Sequence, residues 1–270
     1  MTEDRVLLTG ASGLLGRRLL HAAPDQIDIV ALTHRQGVPG VPSVAADLRD
    51  RDAVLVAVAD VQPTLVIHAA YANDLLSIVA ATRHLAEAAE IVGAGFVFVS
   101  TDAVFLGDGR PRDEQAVPDA TWDYGRWKAE AERIVLDASG LGVVVRLPLL
   151  VSVEPDDHVV RQLRSAATSG GPSRWFTDEM RRPALASDIA EAIWRIVALP
   201  VGARDGCWHL AGPERVSRWD IAQRMVHRLG LPPSSIQATV QPIPTDRPRD
   251  IAFTDARARR TIAWDPSHIR

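Results

Sequence analysis

The sequence predicts an α/β protein, a doubly wound parallel sheet with a smaller, intertwined C-terminal lobe, on three observations. Over the first 150 residues, short apolar runs alternate with longer helical patterns, the mark of repeated strand and helix units. The short runs are apolar at successive positions rather than at every second one, as strands covered by helices on both faces are. A three-glycine loop joins the first run to the first helical pattern.

Strands are predicted at residues 6–9, 27–32, 43–46, 65–68, 96–100 and 143–146. Helices are predicted at 14–22, 50–58, 75–91 and 124–138, where alanine, leucine and glutamate, good helix formers, predominate. After Pro148 the alternation breaks down into a polar, Gly/Ser-rich stretch at 165–173. Further helices begin near Ser187 and Arg218, with Ser187-Asp188 and Ser217 as N-caps. A proline-rich run at 232–248 leads to a short tail ending at Arg270. No repeat, charge block or long linker separates two independent domains.

Composition narrows the function. The 270 residues are 47% hydrophobic and 24% charged with mean hydropathy near zero, which describes a core-forming chain rather than a disordered or coiled-coil one. A net charge of -4 gives no chain-wide basic footprint for nucleic acid. The single cysteine, Cys207, allows no intramolecular disulfide and no cysteine-based zinc cluster. The 8 histidines are scattered, and no metal ligand set is read from them. Without a leader-like segment or an apolar window of about 18 residues, the expectation is a cytoplasmic protein with no membrane partner. Of 30 basic residues, only Lys128 is lysine, and of 2 tyrosines, Tyr71 and Tyr124, one stands four residues before it.

The glycine loop reads Thr9-Gly10-Ala11-Ser12-Gly13-Leu14-Leu15-Gly16. Glycines at a strand-to-helix junction let the backbone turn tightly and approach a pyrophosphate, whose charge the helix N-terminus meets. A glycine turn with no ligand is the alternative. The pattern makes the sheet Rossmann-like and assigns Gly10, Ser12, Gly13, Leu14, Leu15 and Gly16 to a dinucleotide. After the second strand, an acid would hold the ribose of NAD; the chain has Thr33-His34-Arg35 instead. NADP(H) is therefore expected over NAD(H), with Arg35 as phosphate partner and His34 as a second candidate. Arg35 as one more solvated arginine is the competing explanation. Asp47 and Leu48 after the third strand, His68, Ala69 and Ala70 after the fourth, and Leu147 after the sixth complete the expected cofactor set. Residues 1–150, with a return segment near 183–212, are expected to form the NADP-binding domain, and 151–270 mainly the substrate-binding lobe.

The fifth strand ends in Ser100-Thr101-Asp102, and the next long helix opens with Tyr124-Gly125-Arg126-Trp127-Lys128. Positions i and i+4 share a helix face, so Tyr124 and Lys128 can enter one site. A phenol titrates near pH ~10; a neighbouring ammonium favours the phenolate and brings it into working range. Arginine's planar fork is no substitute for that compact charge.

These residues resemble the extended short-chain dehydrogenase/reductase superfamily, and within it the dTDP-4-dehydrorhamnose reductase family, over nearly the whole chain. The motifs are the glycine loop, Ser-Thr-Asp with Val104-Phe105 behind it, Tyr124 to Lys128, the segment 176–189 with Arg182-Pro183-Ala184-Leu185-Ala186-Ser187-Asp188, Trp208-His209-Leu210-Ala211-Gly212 as a strand, and Arg247-Pro248-Arg249-Asp250. Arg146-Leu147-Pro148-Leu149-Leu150 also resembles the regulatory beta subunit of methionine adenosyltransferase. The resemblance implies that Tyr124 protonates the oxygen as hydride reaches a ketone carbon, that Lys128 holds the nicotinamide ribose and lowers the tyrosine pKa, and that Thr101 hydrogen-bonds the carbonyl. Asp102, Tyr124, Trp122 and Arg247 are expected to meet the substrate, Ser100 to be structural, and Trp127 to face away from the site.

The chain departs from the family's pattern. Ile78 stands where many members carry an asparagine that supports a water relay; Ala103 replaces a tyrosine, and Val151-Ser152 replaces Tyr-Gly. The expectation is an NADPH-dependent reductase of a keto group on a nucleotide-activated 4-keto-6-deoxysugar. The alternative is a non-catalytic NADP-binding regulatory subunit; a sugar-nucleotide epimerase ranks below both. A homodimer would follow many relatives.

Overall fold

The structure, a computed structural model, describes residues 4–34, 37–70, 72–138, 142–154, 156–169, 171–243 and 247–269. The chain opens with β1 (Arg5–Thr9), α1 (Leu14–His21), β2 (Asp28–Thr33), β3 (Ser43–Ala45), α2 (Arg51–Val61) and β4 (Leu65–His68). A π-helical turn at Leu76–Ala80 leads into α3 (Ala81–Val92), then β5 (Gly95–Thr101), β6 (Asp108–Arg112), α4 (Asp123–Asp137) and β7 (Gly142–Leu147). There follow β8 (Leu150–Val151), α5 (His158–Ser169), β9 (Ser173–Phe176), β10 (Met180–Arg181), β11 (Ala184–Leu185), α6 (Ala186–Val197) and α7 (Val201–Arg204). The last elements are β12 (Gly206–His209), β13 (Val216–Ser217), α8 (Arg218–Arg228), β14 (Ile236–Thr239), β15 (Asp250–Phe253) and α9 (Ala256–Ile262).

Seven strands form a parallel sheet in the order β12-β7-β5-β4-β1-β2-β3. The fold is the expected Rossmann-like α/β one. Its strands are apolar at successive positions because both faces are covered: Val6 and Leu8 join one core with Leu15 and Leu19 of α1 and Ile189 and Ile193 of α6, while Leu7 joins the other with Val54 and Val58 of α2 and Leu85 of α3. Strand order reverses at β1, and ligands of open α/β sheets bind outside the strand carboxyl ends at such a reversal. Register brings those ends level, with Thr9 opposite His68 and Thr101 opposite Leu147. After β7, the described residues add one strand, β12, to this sheet; the later strands β13, β10 and β15 join the earlier β6 in a four-stranded sheet, β13-β10-β15-β6, and the rest form two small pairs. A separate apolar cluster there gathers Val159, Val160 and Leu163 of α5, Trp175, and Ile221 and Met225 of α8.

Local differences from expectation have physical causes. The polar stretch from residue 165 is helical to Ser169, because Val159, Val160, Leu163 and Ala166 form a buried face that carries α5 through it. The predicted helix 75–91 begins instead as the π-turn, entered from Asp74, whose carboxylate accepts from Ser77 N at 2.9 Å. Ser187-Asp188 does not cap α6: Leu185 holds the N-cap position, and Asp188 takes a hydrogen bond from Ser267 N at 2.6 Å, tying the tail to the helix. Ser217 does cap α8, in a capping box with Asp220. The strand expected through Gly212 ends at His209.

Candidate active site

The carboxyl ends of the sheet and the C-terminal lobe enclose a cleft of about 1800 Å³. One half of it begins at the glycine loop. Gly10 has a φ of +72°, and a Cβ there would lie 2.6 Å from Ala70 N, so the turn against the end of β4 admits no side chain. Helix α1 starts after Gly13, its N-cap residue, with no side chain capping its first N–H groups and no acid in its first turn. An uncapped N-terminus opening into the cleft beside Ser12, Gly13, Leu14 and Leu15 fits a pyrophosphate. Gly10, Gly16, His34, Leu48, Ala69, Ala70 and Leu147 also line this half.

Two expected cofactor residues, Asp47 and His68, are placed otherwise. Arg35 lies outside the described residues. Asp47 does not line the cleft; its carboxylate is gripped by Arg49, with Nη2 at 2.7 Å and Nε at 3.0 Å, which holds its pKa well below the usual carboxylate range. His34 Nε2 stands 3.7 Å from the same carboxylate. His68 is buried behind the wall, its Nδ1 2.7 Å from Thr9 Oγ1, and burial followed by the Lys128 charge pushes it down to about 3. It is a neutral core residue because apolar β4 sinks its side chain against Phe98.

The chemical centre comes from β5 and α4. Thr101 ends β5; its Oγ1 accepts from Ala103 N at 3.1 Å and lies 3.3 Å from Asp102 Oδ1, toward which it donates. Asp102 is 4% exposed, and its buried Oδ2 has no hydrogen-bond partner among the described residues. Burial raises its pKa to about 6 against the opposing Arg181 charge, so this carboxyl keeps a proton in mildly acidic solution. Trp122 is the N-cap residue of α4, and Tyr124 and Lys128 lie on its cleft-lining side. Lys128 Nζ donates to Val99 O at 2.8 Å, 4.4 Å from the centroid of the Phe98 ring. Burial pushes this amine down to about 7, with Glu132 opposing the shift. Trp127 also lines the cleft, contrary to expectation, because position i+3 from Tyr124 shares its helix side.

The other half of the cleft is lined by charged groups from the C-terminal lobe. Arg247 lines it, and so do Glu179, Arg181 and Arg218, which the sequence reading missed. Buried Glu179 accepts from Gln241 Nε2 at 3.0 Å and pairs with Arg181 at 3.1 Å and Arg247 at 3.2 Å. Arg181 also donates to Pro248 O at 2.9 Å, anchoring the segment that carries Arg247. Glu179-Met180-Arg181 is visible in the sequence, but only packing shows that its charges converge. Asn73, the chain's single asparagine, lines the cleft near the π-turn, whereas Ile78 is buried beneath it. Among the described residues no cluster of metal-binding side chains occurs, and no helix is long and apolar enough to cross a membrane.

A parallel sheet with a glycine loop after its first strand, and Thr, Tyr and Lys around one cleft, defines the class: this is an extended short-chain dehydrogenase/reductase fold. The family described as RmlD substrate binding domain matches residues 4–270. The chain is 31% identical over 248 residues to the dTDP-4-dehydrorhamnose reductase of Mycobacterium tuberculosis (strain ATCC 25618 / H37Rv), covering 87% of this chain and 79% of that one. It therefore belongs to the dTDP-4-dehydrorhamnose reductase-like family. It is also 27% identical over 267 residues to methionine adenosyltransferase 2 subunit beta of Xenopus tropicalis, covering 90% and 78% of the two chains. In fold it matches a hypothetical dTDP-4-dehydrorhamnose reductase from Sulfolobus tokodaii, with a TM-score of 0.83 at 24% identity over 97% and 96% of the two chains.

Proposed function

We propose that the protein is an NADPH-dependent reductase of a keto group, with a nucleotide-activated 4-keto-6-deoxysugar as substrate class. The observation that carries this is the meeting of Thr101, Tyr124 and Lys128 on one cleft that continues to the uncapped α1 N-terminus. Residues 1–150 would hold the cofactor, with the return segment near 183–212, and 151–270 would supply most of the substrate lobe. The bound cofactor supplies hydride. The Tyr124 hydroxyl gives a proton to the carbonyl oxygen, Lys128 holds the ribose and favours the resulting phenolate, and Thr101 donates a hydrogen bond that orients the carbonyl. Trp122, Asp102 and Arg247 face the substrate. Preference for NADPH rests on His34 and Arg35 and the missing acid after β2.

A second reading, a regulatory subunit that keeps the cofactor fold, is favoured by the likeness to the methionine adenosyltransferase subunit. Purified protein, NADPH and a panel of 4-keto sugar nucleotides separate the two. Cofactor oxidation with a ketone supports the reductase; no turnover on any ketone, with stable co-purification of another enzyme, supports the regulatory subunit.

A further inference from the structure

Behind the cleft wall, α4 buries a carboxylate. Glu132 follows Lys128 by one helical turn and Tyr124 by two, which places the three along one side of the helix. It is 2% exposed. Arg146 of β7 grips it, with Nε 3.0 Å and 3.1 Å from the two carboxylate oxygens and Nη2 2.8 Å from Oε2. Ser100, at the end of β5, donates its hydroxyl to Oε1 at 2.5 Å. Arg146 Nη1 also lies 3.2 Å from His209 Nε2, and His209 Nδ1 is 2.9 Å from Thr254 O. A carbonyl only accepts, so Nδ1 carries the proton and Nε2 offers its lone pair to Arg146. Three strands and α4 are thereby pinned by one buried polar network.

Such a pair is not explained by stability alone, because apolar side chains of similar volume commonly stabilise a core as well or better. Its location is informative: Ser100 precedes Thr101, and Glu132 shares a helix with the other two reacting side chains. We propose that Glu132 is a positioning residue of the reductive site, its carboxylate fixed by Arg146 and holding Ser100, and so Thr101, against the helix that carries Tyr124 and Lys128. The kinetic consequence rests on the reductase reading; the electrostatic one does not.

That electrostatic consequence concerns Lys128. From β4 it faces His68, held neutral by burial; on its own helix Tyr124 stands one turn before it and Glu132 one turn after, with Arg146 of β7 and His209 of β12 beyond Glu132. Glu132 contributes the negative charge that favours the ammonium against burial. Without it the amine loses its proton at lower pH.

Lys128 is the only lysine in the chain, so protein labelled with ¹³C at lysine Cε gives one side-chain signal whose shift against pH reads this group directly. Glu132→Gln is expected to lower the titration midpoint by about one pH unit, whereas Glu132→Asp, which keeps the charge, stays near wild type. An unchanged midpoint in Glu132→Gln overturns the electrostatic role. Should Glu132→Gln fail to fold, the paired Glu132→Gln, Arg146→Gln protein is read against Arg146→Gln alone, which differs from it only in the Glu132 charge, and equal lysine midpoints in the two again overturn that role. Ser100→Ala leaves the lysine midpoint in place and is expected to lower kcat about tenfold with little change in cofactor KM; an unchanged kcat overturns the positioning role. A wild type that reduces no ketone refutes the reductase reading instead, and the lysine titration still decides the role of the Glu132 charge.

Discussion

Lys128 separates what composition dictates from what chemistry requires. With 30 basic residues and a single lysine among them, the chain uses arginine wherever a generic cation suffices. At Lys128 the side chain is 4% exposed and its Nζ meets Val99 O at 2.8 Å. A guanidinium is wider, is not deprotonated in proteins, and would have to bury its planar fork where a compact ammonium fits. Lys128→Arg is expected to lose at least about 100-fold in kcat/KM for ketone reduction, a barrier increase of about 3 kcal/mol. Steady-state kinetics on the folded variant check this, and full activity would return the lone lysine to compositional drift. The lysine and its tyrosine were legible in the sequence because both residue types are scarce and their spacing is helical. Arg181, Glu179 and Trp127 were not: arginine is common here, and the convergence of β10, α8 and the 247–249 segment is a tertiary fact. The surroundings of His68 and Asp47 were not legible either, because position after a strand does not say whether a side chain turns into the cleft or meets a neighbour such as Thr9 or Arg49.

At the level of elements, periodicity and apolar runs disclosed β4 with both ends correct, and the other five strands predicted in the first 150 residues to within one residue. They disclosed less of the C-terminal lobe, whose two-residue strands carry no pattern of their own and exist through pairing with distant segments. Helix α4 shows how close packing sets the site. A Cβ on Gly125 would lie 2.4 Å from Ala103 O, 2.5 Å from Ala120 Cβ and 2.7 Å from Trp122 Nε1. Ala in place of Gly in a helix gains about 1 kcal/mol, while forcing an extra carbon into packed backbone costs about 1–3 kcal/mol. The steric cost wins here because the nearest obstacle is a backbone carbonyl. Gly125→Ala is therefore expected to be destabilised by about 1 kcal/mol and, by tilting the first turn of α4, to slow catalysis more than it weakens cofactor binding. Urea unfolding together with kinetics tests this; a variant stabilised by the substitution would show that α4 has room to move.

For the whole molecule, buried titratable groups set the pH dependence of stability. His68 and His209 are pushed down to about 3, mainly by burial, below the ordinary value near ~6.5. A depressed folded-state pKa stabilises the fold above the unfolded value, and that contribution is lost as pH falls from ~6.5 toward ~3. Lys128, lowered to about 7 by burial, acts in the same direction between ~10.4 and ~7. Asp102, raised to about 6 by burial, acts oppositely: its contribution is full below ~3.9 and is lost as pH rises through about 6. The two histidines carry the larger shifts, so unfolding free energy is expected to be lower at pH 5 than at pH 7.5, as urea titration at the two pH values measures; equal or greater stability at pH 5 would mean that these histidines charge without opening the fold.

The most direct measurement of the central claim is NADPH oxidation by wild type and Tyr124→Phe across the 4-keto sugar nucleotide panel, with NADPH affinity measured in parallel. The account predicts turnover by wild type on at least one ketone, a loss of about 100-fold or more in Tyr124→Phe, and unchanged NADPH binding. Equal turnover by the two proteins, or no turnover by wild type on any ketone, would contradict it.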